Sequence, residues 1–344
     1  MDDMKQRGFF DENDRLQELS ELGDPLEKLT AVIDWEMFRP VLTRVLKKEA
    51  QGPGGRPPYD YVMMFKILIL QRLYHLSDAQ TEYQIKDRLS FMRFLGLALC
   101  SDVPDDKTIW FFREQLVKAD IIDTLFYRFV NMLERKHIIT RDGSIVDATF
   151  VDAPKQRNSK DENDQIKDGQ VPQEWEAPGR EHKKAQKDVD ARWTVKNDET
   201  HYGYKDHIKA DATSKIITDY TVTPANVHDS QELKNLVDKK KDKVLYADSA
   251  YKGEEIEKCL GRKIENQICE KGYRNNPLTK KQMKANRKKS RTRSRVEHIF
   301  AYMTNSMGGI TIRTIGLARA EFAIGIMNLV YNLNRYRFLV MQAS

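Results

Sequence analysis

From the first residues to about Ile139, apolar positions recur at helical spacing, and after Asp142-Gly143 the pattern turns to short strand-like runs. Asp24 before Pro25 is an N-cap and first-turn pair, followed by Leu26, Leu29 and Ile33 on one helical stripe. Gly52-Pro53-Gly54-Gly55 breaks the chain. Pro57-Pro58 then launches a helix through Tyr61, Phe65, Leu68 and Leu73 that is apolar nearly all round, the pattern of a helix at the centre of a small domain. Ser77-Asp78-Ala79-Gln80 is a capping box that starts the next helix toward Arg88. Phe91, Phe94 and Leu95 continue the core, Pro104-Asp105-Asp106 marks the start of a helix over Thr108–Leu116, and a helix from Asp120 through Phe126, Phe129 and Leu133 closes the domain. Short helices carrying Arg88, Arg93 and Arg113 could form a helix-turn-helix reader of DNA, but spacing favours a bundle with ordinary surface arginines, because helix pairs are common.

The second half reads as a sheet with flanking helices. A strand is predicted over Gly143–Val151, and Pro154 to about Glu199 is a polar, solvated and partly flexible insertion. Trp175 and Trp193 are its exceptions, residues that either pin the loop to the body or stack on a base. His201–Asp211 and Lys215–Thr223 form a hairpin around the turn Asp211–Ser214. His201 and His207 share a face of its first strand, as metal ligands or as a hydrogen-bonded, partly buried pair. His228-Asp229 is expected to start a helix with Asp229 as cap, and Asp229 is a further acid to consider. Val244–Asp248 is predicted as a strand, Gly253–Leu260 as a helix and Lys263–Cys269 as a strand. A basic helix is expected from about Arg287 through Glu297, Phe300 and Met303, and a last amphipathic helix over Leu317–Leu339.

Composition sharpens this picture where charge is concerned. The net charge of +6 is modest, but Arg274–Arg295 holds ten Lys and Arg and no acid, the footprint of a polyanion partner. Cys100, Cys259 and Cys269 are scattered and odd in number, which argues against a disulfide framework or a zinc knuckle and fits a reducing cytoplasm. Asp2 and Asp3 are wrong for a signal peptide, and the most apolar run, Tyr61–Leu70, is short and holds Lys66, so no membrane role is expected.

Candidate chemistry centres on three carboxylates. Asp147 lies inside a β-branched run where a charge is costly to desolvate, and Asp248 ends a second apolar run in the same way. Two strand-borne aspartates suggest a divalent-metal site. Glu297 is the lone acid of the basic stretch, either an ion-pair partner of Arg293 four residues earlier or a third ligand. Such a set suits phosphodiester chemistry with two Mg²⁺ ions, which take oxygen ligands; Mn²⁺ is the expected substitute. The neighbouring Lys288, Lys289, Arg291, Arg293 and Arg295 would hold a DNA backbone.

Several separated motifs carry a resemblance: Ile145-Val146-Asp147-Ala148-Thr149, His201-Tyr202-Gly203-Tyr204-Lys205, Ala225-Asn226-Val227-His228-Asp229-Ser230, Ala247-Asp248-Ser249-Ala250-Tyr251 and Arg293-Ser294-Arg295-Val296-Glu297, with Asp34-Trp35 and Val103–Thr108 upstream. In this order they resemble the DDE transposases of bacterial insertion sequences, in the group typified by insertion sequence five. The resemblance implies an α/β fold: a ribonuclease-H-like catalytic domain over residues 141–344, with a mixed five-stranded sheet, flanking helices and an insertion at about 154–199, preceded by an all-helical domain over 1–140. It implies Asp147, Asp248 and Glu297 as catalytic and metal-binding residues, Mg²⁺-dependent cutting at transposon ends, and joining to target DNA. The implied partner is double-stranded DNA held by a homodimer, with no small-molecule substrate, in a bacterial cytoplasm at the nucleoid. The chain departs from the family's late motif at Ser290 and Thr304, where a Tyr and a Lys are usual. Thr304 falls on the face of Glu297 but cannot neutralise a phosphate, which leaves Lys252 or Arg291 as substitutes. A non-catalytic DNA-binding descendant and a nuclease that cuts without joining are the alternatives.

Overall fold

A computed structural model describes residues 10–47, 57–196, 198–274 and 276–343. The expected break at Gly52–Gly55 lies outside the described residues. Contacts divide the chain into two compact units, Met1–Ile121 with Leu333–Ser344, and Ile122–Asn332.

The first unit is helical: α1 (Asp11–Glu21), α2 (Pro25–Val32), α3 (Arg39–Leu46), α4 (Tyr61–Leu73), α5 (Asp78–Asp87), α6 (Leu89–Leu95) and α7 (Asp106–Lys118). The starts follow the local chemistry. Asp24 accepts from the Leu26 amide, Asp60 caps α4 through Met63, and Ser77 and Gln80 complete the capping box of α5. α4 buries Val62, Met64, Phe65, Ile67, Leu68, Ile69 and Leu70, which is why its apolar residues surround it. Arg88, Arg93 and Arg113 have partners within this unit. Arg93 donates to Asp24 at 2.6 Å and to Ser20 at 2.8 Å, Arg113 forms a two-pronged pair with Asp78 at 2.7 and 2.8 Å, and Arg88 lies over the rings of Tyr74 and Phe91.

The second unit holds α8 (Ile122–Arg135), β1 (Ser144–Asp152), α9 (Lys160–Lys167), α10 (Glu181–Ala185), β2 (Arg192–Lys196), β3 (Glu199–Asp211), β4 (Ile217–Pro224), α11 (Leu233–Leu236), β5 (Val244–Tyr246), α12 (Glu254–Leu260), β6 (Glu265–Asn266), α13 (Lys280–Arg293), α14 (Glu297–Ser306) and α15 (Leu317–Ala343), whose last residues belong to the first unit. β1 pairs antiparallel with β3, β3 antiparallel with β4, β1 parallel with β5, and β5 parallel with β6. The order β4-β3-β1-β5-β6, three antiparallel strands continued by two parallel ones, is the mixed sheet of a ribonuclease-H-like fold. One layer of core, Val146, Leu233, Leu236, Leu245, Ala247, Tyr251, Ile256, Leu260, Ile264 and Ile268, packs α11 and α12 against it. From α15, Asn332 pairs with both backbone groups of Ile217 at 2.9 and 2.8 Å, satisfying a strand end that has no further neighbour there.

Four expectations are corrected. The insertion is ordered rather than a solvated loop: α9, α10 and β2 lie within it, β2 adds a sixth strand by pairing with β3, and Trp175 is fully buried with its indole N–H on Glu162 at 2.7 Å. Trp175 therefore pins the segment, whereas Trp193 is about half exposed. β5 ends at Tyr246, because the Asp248 carboxylate caps the 3-10 turn Ser249–Tyr251 at the Ser249 amide. β6 has two residues, although the amides of Gln267 and Cys269 still bond to Leu245 and Ala247. The basic helix begins at Lys280, where Thr279 and Gln282 form a capping box, and is interrupted by a 3-10 turn at Ser294–Val296.

Candidate active site

Asp147 sits in the middle of β1, opposite Ile208 of β3, so the sheet fixes its backbone on the paired side. Asp248 follows β5, the parallel neighbour of β1, and the adjacency of the two strands brings both aspartates to one cavity of about 290 Å³. Phe150, Thr194, Val195, Lys196, Lys205, Asn226, His228, Asp229, Ala250 and Tyr251 complete its lining. Burial pushes the Asp147 carboxyl up to about 6, offset in part by the Ala148 amide and Arg293; Glu297 pushes the same way as burial. Arg293 donates to Asp147 at 3.0 Å and lies 3.6 Å from Glu297. The expected ion pair of Glu297 with Arg293 forms, and the same guanidinium bridges to Asp147. Glu297 itself is exposed and does not line the cavity.

The Tyr251 hydroxyl is buried in the same cavity wall without a hydrogen-bond partner. Burial, then the charges of Asp147, Asp229 and Asp248, hold this phenol well above its ordinary range. Among the described residues no group of three or more His, Cys, Asp or Glu side chains is gathered closely enough to hold a metal ion. The donor set nevertheless fits a hard divalent cation: carboxylate oxygens only, one of them buried at a cost that a cation would repay, beside an unpartnered hydroxyl.

The remaining candidates divide by what they touch. Lys289 donates to the Ile268 carbonyl at 2.7 Å, Arg295 to the Ala212 carbonyl at 2.6 Å, and Lys252 pairs with Glu270. Lys288, Arg291 and Thr304 are exposed. α13 has no buried residue; Asn286 exchanges hydrogen bonds with the backbone of Glu270 at 2.9 and 3.0 Å, which docks the helix and leaves a basic face in solvent. The two histidines of β3 are spoken for: His207 is buried and shares a 2.8 Å hydrogen bond with Thr223, burial pushing its ring down to about 4, and His201 stacks on Phe150. His228, not Asp229, caps the turn that follows β4, since its ring nitrogen accepts from the Ser230 amide. Asp229 instead accepts from Lys205 at 2.7 Å and faces Lys196 at 3.8 Å. Lys196, Lys205, Asn226 and Tyr251 were not singled out as site residues from sequence. The alternation in Arg192-Trp193-Thr194-Val195-Lys196 was the signal for the first of them.

Residues 139–333 match the family model of the transposase DDE domain, and residues 14–115 match that of a transposase domain (DUF772). The first match alone spans more than half of the chain, which belongs to the DDE transposase domain family. Among solved structures the chain is similar to the piggyBac transposase in a synaptic complex with hairpin DNA, determined by cryo-electron microscopy, at 11% identity and a TM-score of 0.46 over 95% of this chain and 77% of that one. Among the described residues no helix is long and apolar enough to cross a membrane.

Proposed function

We propose that this transposase cuts DNA at the ends of its insertion sequence and joins the freed 3′ hydroxyl to target DNA, with Asp147, Asp248 and Glu297 as the carboxylate triad. The observation that carries the reading is the convergence of Asp147 and Asp248 on one cavity, with Glu297 tied to Asp147 through Arg293. Asp147 and Asp248 would hold Mg²⁺, with Glu297 completing the set once Arg293 is drawn away. When bound, two such ions activate the attacking oxygen and stabilise the leaving oxygen.

The chain's own residues do the rest. Asp147, rigid in β1, would hold its metal-binding carboxylate at a fixed position relative to the sheet. Arg293, freed from Asp147, is positioned to meet a non-bridging phosphate oxygen, where its planar fork has the matching geometry. The exposed Lys288 and Arg291 grip the backbone farther along α13, fixing position and not sequence. The helical unit, Met1–Ile121 with Leu333–Ser344, binds the ends or pairs two copies, and the working form is a homodimer in the bacterial cytoplasm.

The test is a cleavage and joining assay on DNA carrying the element's own ends, with Mg²⁺ or with chelator, for wild type and Glu297→Gln. Metal-dependent cutting and joining that the substitution abolishes supports the triad. Equal activity of Glu297→Gln contradicts it.

A further inference from the structure

The cavity has a basic wall as well as an acidic one. Lys196 ends β2 with its side chain about half exposed, 3.8 Å from Asp229 and 5.6 Å from the Phe150 ring. Lys205 is nearly buried; it donates to Asp229 Oδ1 at 2.7 Å and to the Val227 carbonyl at 2.6 Å. One oxygen of Asp229 is thereby satisfied from below, and its other oxygen orients Lys196. Two lysines on one aspartate leave a net positive charge, and the accessible share of it resides on Lys196.

His228 lines the same cavity and is exposed. Its Nδ1 accepts from the Ser230 amide at 3.3 Å and lies 2.7 Å from the Ser230 hydroxyl. A ring nitrogen that accepts from a backbone amide carries no proton, which leaves Nε2–H as the donor that the ring presents. The other cations near the site have their charge engaged: Arg293 on Asp147, Lys252 on Glu270, Lys289 on the Ile268 carbonyl and Arg295 on the Ala212 carbonyl.

We propose that Lys196 and the Nε2–H of His228 form a subsite for a DNA backbone phosphate adjoining the scissile one, so that the insertion strand β2 supplies the positive contact that the hydroxyl of Thr304 cannot. A free anion gains little beside Asp147 and Asp248, whose charges repel it. A phosphate delivered as part of a duplex gripped by α13 is held there by the rest of the strand. The inference rests on the catalytic reading of the cavity. It names Lys196 and His228 as positioning residues for substrate, not as groups that touch the reacting atoms.

The experiment measures binding of a fluorescein-labelled duplex bearing the element's terminal sequence across a range of KCl concentrations, for wild type, Lys196→Gln, Lys196→Arg and His228→Ala. Loss of one phosphate contact lowers the slope of log affinity against log salt by about 0.9. Lys196→Gln is expected to show that loss and a severalfold weaker affinity at low salt, Lys196→Arg to restore both, and His228→Ala to weaken binding with the slope unchanged. In cleavage, Lys196→Gln raises KM more than it lowers kcat. Thermal midpoints check folding, and the exposed Lys196 contributes little to them. An unchanged slope and affinity in Lys196→Gln overturns the subsite, as does failure of arginine to restore them. Cutting that ignores Lys196→Gln overturns the subsite and leaves the catalytic reading standing. A Lys196-dependent slope without cutting under any metal overturns the catalytic reading and keeps the subsite.

Discussion

Arg293 donates to Asp147 across 3.0 Å, a contact between residues 146 positions apart that ties the end of the basic helix α13 to the centre of the sheet. Both side chains are mostly shielded from water, so the pair is worth more than a surface ion pair, and removing one partner leaves the other charge poorly compensated. Arg293→Gln is expected to destabilise the protein by about 1–3 kcal/mol at neutral pH. The loss should shrink at about pH 5, where Asp147 protonates and no longer needs the cation. Urea denaturation at both pH values measures this; equal losses would contradict it.

Asp147 must be ionised to hold a cation, and burial raises its carboxyl to about 6. Cleavage at limiting Mg²⁺ is therefore expected to rise as pH increases through about 6, with the inflection moving lower at saturating Mg²⁺ because metal and proton compete. A rate profile at limiting metal that is flat from about pH 5 to 7 would disprove this account of Asp147.

Asp206 makes a separate prediction about stability. It is fully buried, accepts from Asn328 at 3.1 Å through one oxygen, has no partner on the other, and burial pushes it up to about 7. The folded value stands above the unfolded value of about 3.9, so the unfolded chain ionises first. Stability from this group is present below about pH 4, falls as pH rises toward about 7, and is level above that. Asp206→Asn should flatten the slope and stabilise the protein at pH 8 on the order of 2–4 kcal/mol. Denaturation curves of the variant that keep the wild-type pH slope would refute it.

Gly203 faces both Asp152 of β1 and Arg192 of β2, with φ of +146°. A Cβ there would meet the Val151 carbonyl at 2.3 Å and the Ala153 amide at 2.7 Å, both backbone atoms that cannot step aside. Gly203→Ala combines backbone strain with this clash, and a loss of about 2–4 kcal/mol is expected. A thermal midpoint within a degree or so of wild type would show that β1 and β3 can separate locally.

The sheet's centre was legible because its chemistry is local: the β-branched run around Asp147 and the turn at Asp211–Ser214 both form, the latter with Asp211 accepting from the amides of Thr213 and Ser214. The capping boxes at Ser77 and at Thr279 are equally local, although the second starts the basic helix at Lys280, ahead of the start expected at about Arg287. What sequence could not supply was the partner across the fold. Nothing near Arg293 in the chain announces Asp147, and the polar composition of the insertion hid β2, whose residues acquire meaning only through pairing with β3. Asp229 was mistaken for a cap because the caps usually drawn from sequence are acids and hydroxyls, while here the His228 ring does that work and frees Asp229 for Lys205.

The most direct test of the catalytic claim compares wild type with Asp248→Asn on labelled DNA carrying the element's ends, following end binding and strand cleavage in the same tubes with Mg²⁺. Asp248 is exposed, and asparagine keeps the oxygen that caps the Ser249 amide at 2.6 Å, so the fold should be undisturbed. The account predicts binding within about twofold of wild type and a loss of cleavage of at least about 10³-fold, of the order that loss of a central catalytic group brings. Cleavage retained by Asp248→Asn would contradict it.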